Sequence, residues 1–126
     1  MIIKGKTNTP YVNLDKENCV LRIIGKSYPD HPDLFYDPIL AEINKCKTGL
    51  GNSKITIKLA LEILNSVSTK YLYHIIKDLY DSTKETKVTW YYENDDESMH
   101  EEGLCFKSSF PFMDFSLVGV DDLRKM

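Results

Sequence analysis

The sequence predicts an α/β domain built on a mixed, mainly parallel sheet, with helices chiefly on one face of that sheet. Residues 54–64 alternate between apolar and polar side chains, which is typical of a strand with one buried face. After residue 70 the apolar residues recur at helical spacing, so a strand leads almost directly into a helix. Strands and helices alternate in this way along much of the chain, which favours parallel strands joined by helical crossovers. The length of 126 residues suits a single domain spanning 1–126.

The first third of the chain predicts a hairpin followed by a helix. Residues 9–14 and 19–24 are predicted to be strands that pair across a turn, and residues 25–33 to be a loop, because they contain Pro29 and Pro32. A helix is predicted over 34–45. Pro38 is awkward in its interior, so we expect the helix either to begin near residue 37 or to follow a bend there.

The rest of the chain predicts alternating strands and helices. The glycine-containing segment 47–53 is predicted to be a loop, and the acidic segment 95–102 to be a short helix or ordered loop that stops at Gly103. The remaining predictions are the strands 54–64, 87–93 and 110–117, a helix over 67–82, and a frayed or weakly helical tail over 121–126.

Composition narrows the class of partner. The net charge is −3 and no basic cluster is present, which argues against nucleic acid and anionic membranes as partners. The early charged residues do not form a secretory signal, and no apolar run approaches the ~20 residues of a membrane span. Three widely spaced cysteines fit a reducing cytoplasm, with neither a disulfide framework nor a zinc site. We therefore expect a cytoplasmic protein without a metal or other cofactor.

The segment from Asn65 to Lys70 is the most informative candidate site. Ser66, Ser68 and Thr69 crowd the point where a predicted strand becomes a helix. A helix start offers unpaired backbone N–H groups and the positive end of a dipole, so a phosphate is favoured there. One interpretation is a simple helix cap. The other is a switch, in which a phosphorylated serine turns a neutral docking surface into an anionic one.

Two alternatives to the switch remain open at this stage. The first is a small metal-dependent or acid–base enzyme that uses His100 with the acidic residues Asp95, Asp96 and Glu97. The second is a constitutive protein-interaction module in which Ser66 only caps its helix.

Several motifs, taken in order, resemble those of the SiaC family of bacterial regulatory phosphoproteins. They are Thr9-Pro10-x-Val12, Gly25–Asp30, Phe35–Leu40, Leu64–Lys70, Trp90–Met99 and Pro111-Phe112. The resemblance covers nearly the whole chain, and the joint order and spacing are quite specific. It implies a STAS-like fold similar to that of the anti-sigma factor antagonists.

The resemblance also implies partner switching in signal transduction. In this family a dedicated kinase phosphorylates a hydroxyl at a helix start, and a phosphatase of the protein phosphatase 2C type removes the phosphate. The unmodified protein binds and activates a diguanylate cyclase, which links the switch to cyclic-di-GMP and biofilm formation. We therefore expect these partners, or another signalling protein in place of the cyclase.

By position, the family's acceptor threonine falls on Ser66, and Ser68 is the fallback acceptor. Val67 stands where the family has a serine, so the chain departs from the family pattern there. Asn65 is expected to cap the helix and help cradle the phosphate. Ser68 and Thr69 are expected to shape the docking surface, and Lys70 to offset the phosphate charge.

Overall fold

Six strands and three α-helices form the domain in the computed structural model, which describes residues 1–50 and 53–125; strands and helices alternate from the third strand onward. The strands are β1 (Ile2–Ile3), β2 (Tyr11–Asp15), β3 (Val20–Ser27), β4 (Ile55–Leu64), β5 (Thr86–Glu93) and β6 (Asp114–Val120). The helices are α1 (Pro32–Leu50), α2 (Ser66–Ser82) and α3 (Glu97–Ser109), and a short 3-10 helix, Leu123–Lys125, follows β6. Among the described residues, no helix has the length and apolar character to cross a membrane.

The strands form one sheet in chain order, from β1 at one edge to β6 at the other. β1, β2 and β3 pair antiparallel, whereas β3 to β6 pair parallel. Right-handed crossovers between neighbouring parallel strands place successive helices on the same side of the sheet. The buried core is consistent with helices on one side of the sheet, because alternate residues of β4 such as Ile57 and Leu59 are buried together with Leu72 and Ile76 of α2. The predicted α/β class, with a mixed sheet and helices on one face, is confirmed.

The predicted hairpin is confirmed, but β3 is longer than predicted. It passes through Gly25 and ends at Ser27, where the sequence suggested a loop. Gly25 has φ 124°, a conformation that only glycine adopts readily, and the register with β4 shifts between Gly25 and Lys26. This bulge lets β3 continue to Ser27, which then lies beside Leu64 at the end of β4.

Helix α1 is also longer than predicted at both ends. It begins at Pro32, where proline is well tolerated, and contains Pro38 in its interior. Pro38 is on the exposed side of the helix, where water can satisfy the carbonyl that the missing N–H leaves unpaired. The predicted loop over 47–53 is wrong in its first part, since the helix runs to Leu50, and residues 51–52 lie outside the described residues.

Helix α3 continues past Gly103, so the prediction that this glycine ends it is wrong. A Cβ atom at Gly103 would lie 2.6 Å from Cδ1 of Trp90 and 2.9 Å from Cδ2 of Leu117. Glycine is therefore needed for the close approach of helix to sheet, and has no role as a helix terminator here.

The two ends of the sheet differ slightly from the prediction. The pair Ile2–Ile3 forms an edge strand that was not predicted, because two residues are too few to show a period. β6 begins at Asp114, later than predicted, since residues 110–113 form a turn closed by the Met113 N–H to the Phe110 carbonyl. The predicted weakly helical tail is confirmed by the 3-10 helix, and residue 126 lies outside the described residues.

Candidate phosphorylation and docking site

A single residue, Asn65, joins the end of β4 to the first residue of α2. Its backbone N–H donates to the carbonyl of Ser27 at 3.1 Å, which ties the joint to the end of β3. Its carbonyl accepts from both the N–H and the Oγ1 of Thr69, each at 3.0 Å. The start of α2 is therefore anchored to two parallel strands at their carboxyl ends.

Asn65 caps α2, as its residue type predicts. Its side-chain oxygen accepts from the N–H of Ser68 at 2.9 Å, with the backbone in the extended conformation usual for this position. Within the part of the chain that the structure describes, the N–H groups of Ser66 and Val67 have no hydrogen-bond partner. These two donors and the positive end of the helix make the first turn of α2 able to accept an anion.

Ser66 occupies the first position of α2, and its side chain is exposed. Lys70 follows four residues later, so it lies on the same helical face one turn on, and it is exposed as well. In the described residues Lys70 forms no ion pair. Its ammonium group is thus available to a charge placed on Ser66.

Ser68 has a different environment, because its side chain is wholly buried (0% exposed). The hydroxyl of Ser27 donates to Oγ of Ser68 at 2.8 Å, and Oγ of Ser27 is also 2.5 Å from Oη of Tyr36. Ser27 and Tyr36 are buried too. The three hydroxyls form a closed chain between β3, α1 and α2, and it fixes the start of α2 against the sheet.

The buried hydroxyl chain is covered by aromatic rings. Burial raises the pKa of Tyr36 above its ordinary value, while hydrogen bonds from Ser27 and Ser68 act in the opposite direction. Tyr36 therefore stays protonated at neutral pH and acts as a hydroxyl in this chain. Its ring stacks on that of Tyr71, with centroids 4.8 Å apart, so the second turns of α1 and α2 are packed together.

The surface around Ser66 carries exposed apolar groups and two carboxylates. Val67 is 42% exposed, and Leu34 in the first turn of α1 is 71% exposed. The pKa of Tyr71 is raised, chiefly by desolvation and then by the carboxylates of Asp37 and Asp33. The two helix starts thus present a mixed apolar and acidic surface, which we call the switch surface.

The structure corrects the role that sequence analysis assigned to Ser68, whereas the role of Thr69 stays a prediction. The Ser68 side chain does not contribute to a docking surface, because it points back toward β3 and is buried. Thr69 is half-buried, and its hydroxyl donates a hydrogen bond to the Asn65 carbonyl. It lines a small cavity of about 100 Å³ between α2 and α3.

The acidic segment around His100 forms the start of α3. Asp96 caps α3 by accepting from the N–H of Met99 at 3.1 Å, and the imidazole of His100 stacks on Tyr92 with centroids 4.5 Å apart. Among the described residues, no group of three or more His, Cys, Asp or Glu side chains is arranged to hold a metal ion. The geometry offers no specific support for the metal-dependent enzyme alternative.

Comparison with known proteins gives the family of the chain. The model of the SiaC family regulatory phosphoproteins matches residues 3–120, nearly the whole sequence. The chain belongs to the SiaC family. No curated protein matches this SiaC-family sequence.

The fold of this SiaC-family protein agrees with solved SiaC structures from Pseudomonas aeruginosa. A crystal structure of the diguanylate cyclase SiaD in complex with its activator SiaC matches with a TM-score of 0.82 and 21% identity, covering 94% of this chain and 96% of that chain. The crystal structure of apo-SiaC matches with a TM-score of 0.78 and 18% identity, covering 94% and 95% of the two chains. A further SiaC structure matches with a TM-score of 0.80 and 20% identity, covering 94% of each.

Sequence analysis missed two residues of the site in this SiaC-family protein, Ser27 and Tyr36. Both lie within motifs that support the family resemblance, the segments Gly25–Asp30 and Phe35–Leu40. These two motifs were therefore a sequence signal that pointed to Ser27 and Tyr36 as candidate site residues. Their partnership with Ser68 depends on the bulge at Gly25 and on the packing of α1, which local patterns do not encode.

Proposed function

We propose that this protein is a non-enzymatic cytoplasmic signalling switch, set by reversible phosphorylation of Ser66. The contrast between two neighbouring hydroxyls carries the proposal. Ser66 is exposed at the first position of α2, whereas Ser68 is wholly buried and hydrogen-bonded. A kinase can reach Ser66 without opening the domain, so the fold favours Ser66 over the fallback acceptor Ser68.

The phosphorylation step adds a dianion and removes a hydroxyl proton. Oγ of Ser66 bonds to the γ-phosphorus of ATP as the bond from that phosphorus to the bridging oxygen breaks. The hydroxyl proton passes to a base on a dedicated kinase, and ADP leaves. A phosphatase of the protein phosphatase 2C type returns the hydroxyl by hydrolysing the phosphate ester.

The start of α2 is suited to bear the phosphate without losing its fold. The added group carries about −1.5 to −2 charges and three acceptor oxygens. The unpartnered N–H groups of Ser66 and Val67 and the ammonium of Lys70 are close in the helix and complement that charge. The effect of phosphorylation therefore falls on the exterior of the domain.

The unmodified switch surface binds the partner in this proposal. Exposed Val67 and Leu34 supply apolar contact area, and Asp33 and Asp37 already make the surface partly acidic. A phosphate on Ser66 adds negative charge beside the apolar groups, and a partner that packs on them then has to desolvate that charge. Phosphorylation is expected to weaken docking.

The partner in this proposal is a diguanylate cyclase, or another signalling protein in its place. Support comes from the solved relative, in which SiaC is the activator of the diguanylate cyclase SiaD. The unmodified chain would then activate cyclic-di-GMP synthesis and act on biofilm formation. Binding to a purified diguanylate cyclase tests this part of the proposal.

The acceptor is tested by labelling with the cognate kinase and ATP, followed by mass spectrometry of the product. We expect one phosphate on the wild-type chain and none on Ser66→Ala. The matched control is Ser98→Ala, which removes an exposed serine from the first turn of α3 and should be labelled like the wild type. Full labelling of Ser66→Ala would contradict the assignment, and label confined to Ser68 would support the fallback.

The switch itself is tested by titrating variants against the purified cyclase. Ser66→Asp keeps a residue that is favourable near a helix start and adds a negative charge, so it should weaken cyclase binding by about tenfold or more. Ser98→Asp adds the same charge to the first turn of another helix and should bind normally. Equal binding by Ser66→Asp and the wild type would favour the constitutive interaction module.

A further inference from the structure

The face of the sheet that carries no α-helix contains a groove of about 410 Å³. Its lining residues are Tyr11, Arg22, Ile24, Lys58, Ala60 and Tyr91. This volume lies in the range of small-molecule sites, about 300–1,000 Å³. The groove is separate from Ser66, since α2 packs on the opposite face.

The strand register arranges the groove in two rows that cross the sheet. In the first row Tyr11 is opposite Ile24, Ile24 opposite Ala60, and Ala60 opposite Tyr91. Three strand spacings separate the two tyrosines, about 14 Å between their backbones. The rings thus form two walls, with the small Ala60 in the floor between them.

The second row carries the positive charge. Arg22 of β3 is directly opposite Lys58 of β4, two residues along each strand from Ile24 and Ala60. Two residues correspond to about 6.6 Å along a strand. A cationic patch therefore adjoins the aromatic groove on one side.

Both cations lack a salt bridge within the described part of the chain, whereas Arg124 donates to Glu62 at 3.0 Å. The pKa of Asp15, which is lowered chiefly by hydrogen bonds from Asn18, is lowered further by the nearby charge of Arg22. Like charges directly opposite in a sheet are destabilising. A guanidinium and an ammonium placed side by side, half-buried and without a salt-bridge partner, are complementary to a phosphate group.

We propose that this groove binds a nucleoside phosphate, with the phosphate across Arg22 and Lys58 and the base against Tyr11 or Tyr91. Tyrosines on a sheet face are suited to stack on bases. The two aromatic walls bound a compact site, which fits one nucleotide better than an extended acidic peptide. The net charge of −3 also argues against a longer nucleic acid.

The test is a titration of the isotope-labelled full chain with AMP and GMP, followed through backbone amide NMR signals. We expect saturable shifts at Ala60, Lys58 and Tyr91 with a dissociation constant of about 1 mM or lower for at least one nucleotide. Adenosine, guanosine and inorganic phosphate are titrated in parallel. Each is expected to bind at least about tenfold more weakly than the nucleotide, because each supplies only half of the contacts.

Two variants locate the site. Lys58→Met should weaken nucleotide binding by about tenfold or more while leaving the thermal midpoint unchanged or higher, because it removes like-charge repulsion. Lys107→Met removes an equal charge from the exposed surface of α3 and should bind as the wild type does. Ser66→Ala should also bind normally, which separates this proposal from the phosphorylation switch.

Three results would overturn the proposal. One is the absence of saturable shifts at the groove with either nucleotide. Another is inorganic phosphate binding as tightly as the nucleotide, which would leave the tyrosines without a role. The third is a poly-glutamate peptide shifting the groove signals where the nucleotides do not, which would reassign the groove to an acidic protein segment.

Discussion

Placing a carboxylate at Ser66 or at Ser68 should have opposite effects on stability. At Ser66 an aspartate lies at an exposed helix start, where a negative charge stabilises by about 0.3–1 kcal/mol. At Ser68 it replaces a hydroxyl that is 0% exposed and 2.8 Å from Ser27. Burying a carboxylate costs several kcal/mol, and hydrogen bonds from Ser27 and Tyr36 recover about 1.5 kcal/mol each. We expect a net loss of about 2 kcal/mol or more for Ser68→Asp.

The assay is thermal unfolding of both variants, with Ser66→Asn and Ser68→Asn as controls of similar size and no charge. A loss of about 2 kcal/mol corresponds to roughly 8 °C in a domain of this length, so the aspartate variants should differ by about 10 °C. Burial raises the pKa of the carboxyl introduced by Ser68→Asp. Its protonated form is favoured in the folded state, so the deficit should shrink as the pH falls toward about 4. Equal thermal midpoints for the two aspartate variants would refute the assignment of Ser66 as exposed and Ser68 as buried.

Three further predictions concern the same framework. Gly103→Ala forces a methyl group into Trp90 and should destabilise by about 1–3 kcal/mol in urea unfolding. Its control, Gly49→Ala in an open position of α1, should be neutral or stabilising by up to about 1 kcal/mol. Asn65→Ala removes the cap of α2 and should cost about 1 kcal/mol, measured in the same way; an unchanged urea midpoint would contradict the capping role. Because the folded pKa of Tyr36 is raised, the stability linked to its ionisation is complete below pH about 10 and is lost at higher pH. Tyr36→Phe should flatten the alkaline part of the stability profile, and a profile as steep as that of the wild type would argue against this origin.

The sequence predicts the sheet and its helices well where the pattern is long. The alternation through Ile57 and Leu59 identifies β4, and the change to helical spacing after it identifies α2. Errors arise where tertiary packing decides. Gly103 suggests a helix end by residue type, but the approach of α3 to Trp90 requires it within the helix. The bulge at Gly25 carries β3 three residues further than the local pattern indicates.

The candidate site was only partly predictable for the same reason. Asn65 as the helix cap and Ser66 as an exposed hydroxyl follow from residue type and position. The separation of Ser66 from Ser68 does not, because a strand-to-helix pattern does not say which hydroxyl faces the sheet. That distinction depends on Ser27 and Tyr36, which reach Ser68 only in the folded domain.

If Ser66 is phosphorylated as proposed, the one-residue joint at Asn65 limits which kinds of kinase can act on it. Many protein kinases bind their substrates as extended peptides, but the segment around Asn65 cannot become extended without losing hydrogen bonds. The N–H of Asn65 donates to the carbonyl of Ser27, and its side chain accepts from the N–H of Ser68. Extending the segment would therefore break the helix cap and the hydrogen bond that ties the ends of β3 and β4 together. A kinase that phosphorylates Ser66, as proposed, would therefore have to bind the folded domain and recognise its three-dimensional shape. A short synthetic peptide with the sequence of residues 60–72 should not be phosphorylated by such a kinase.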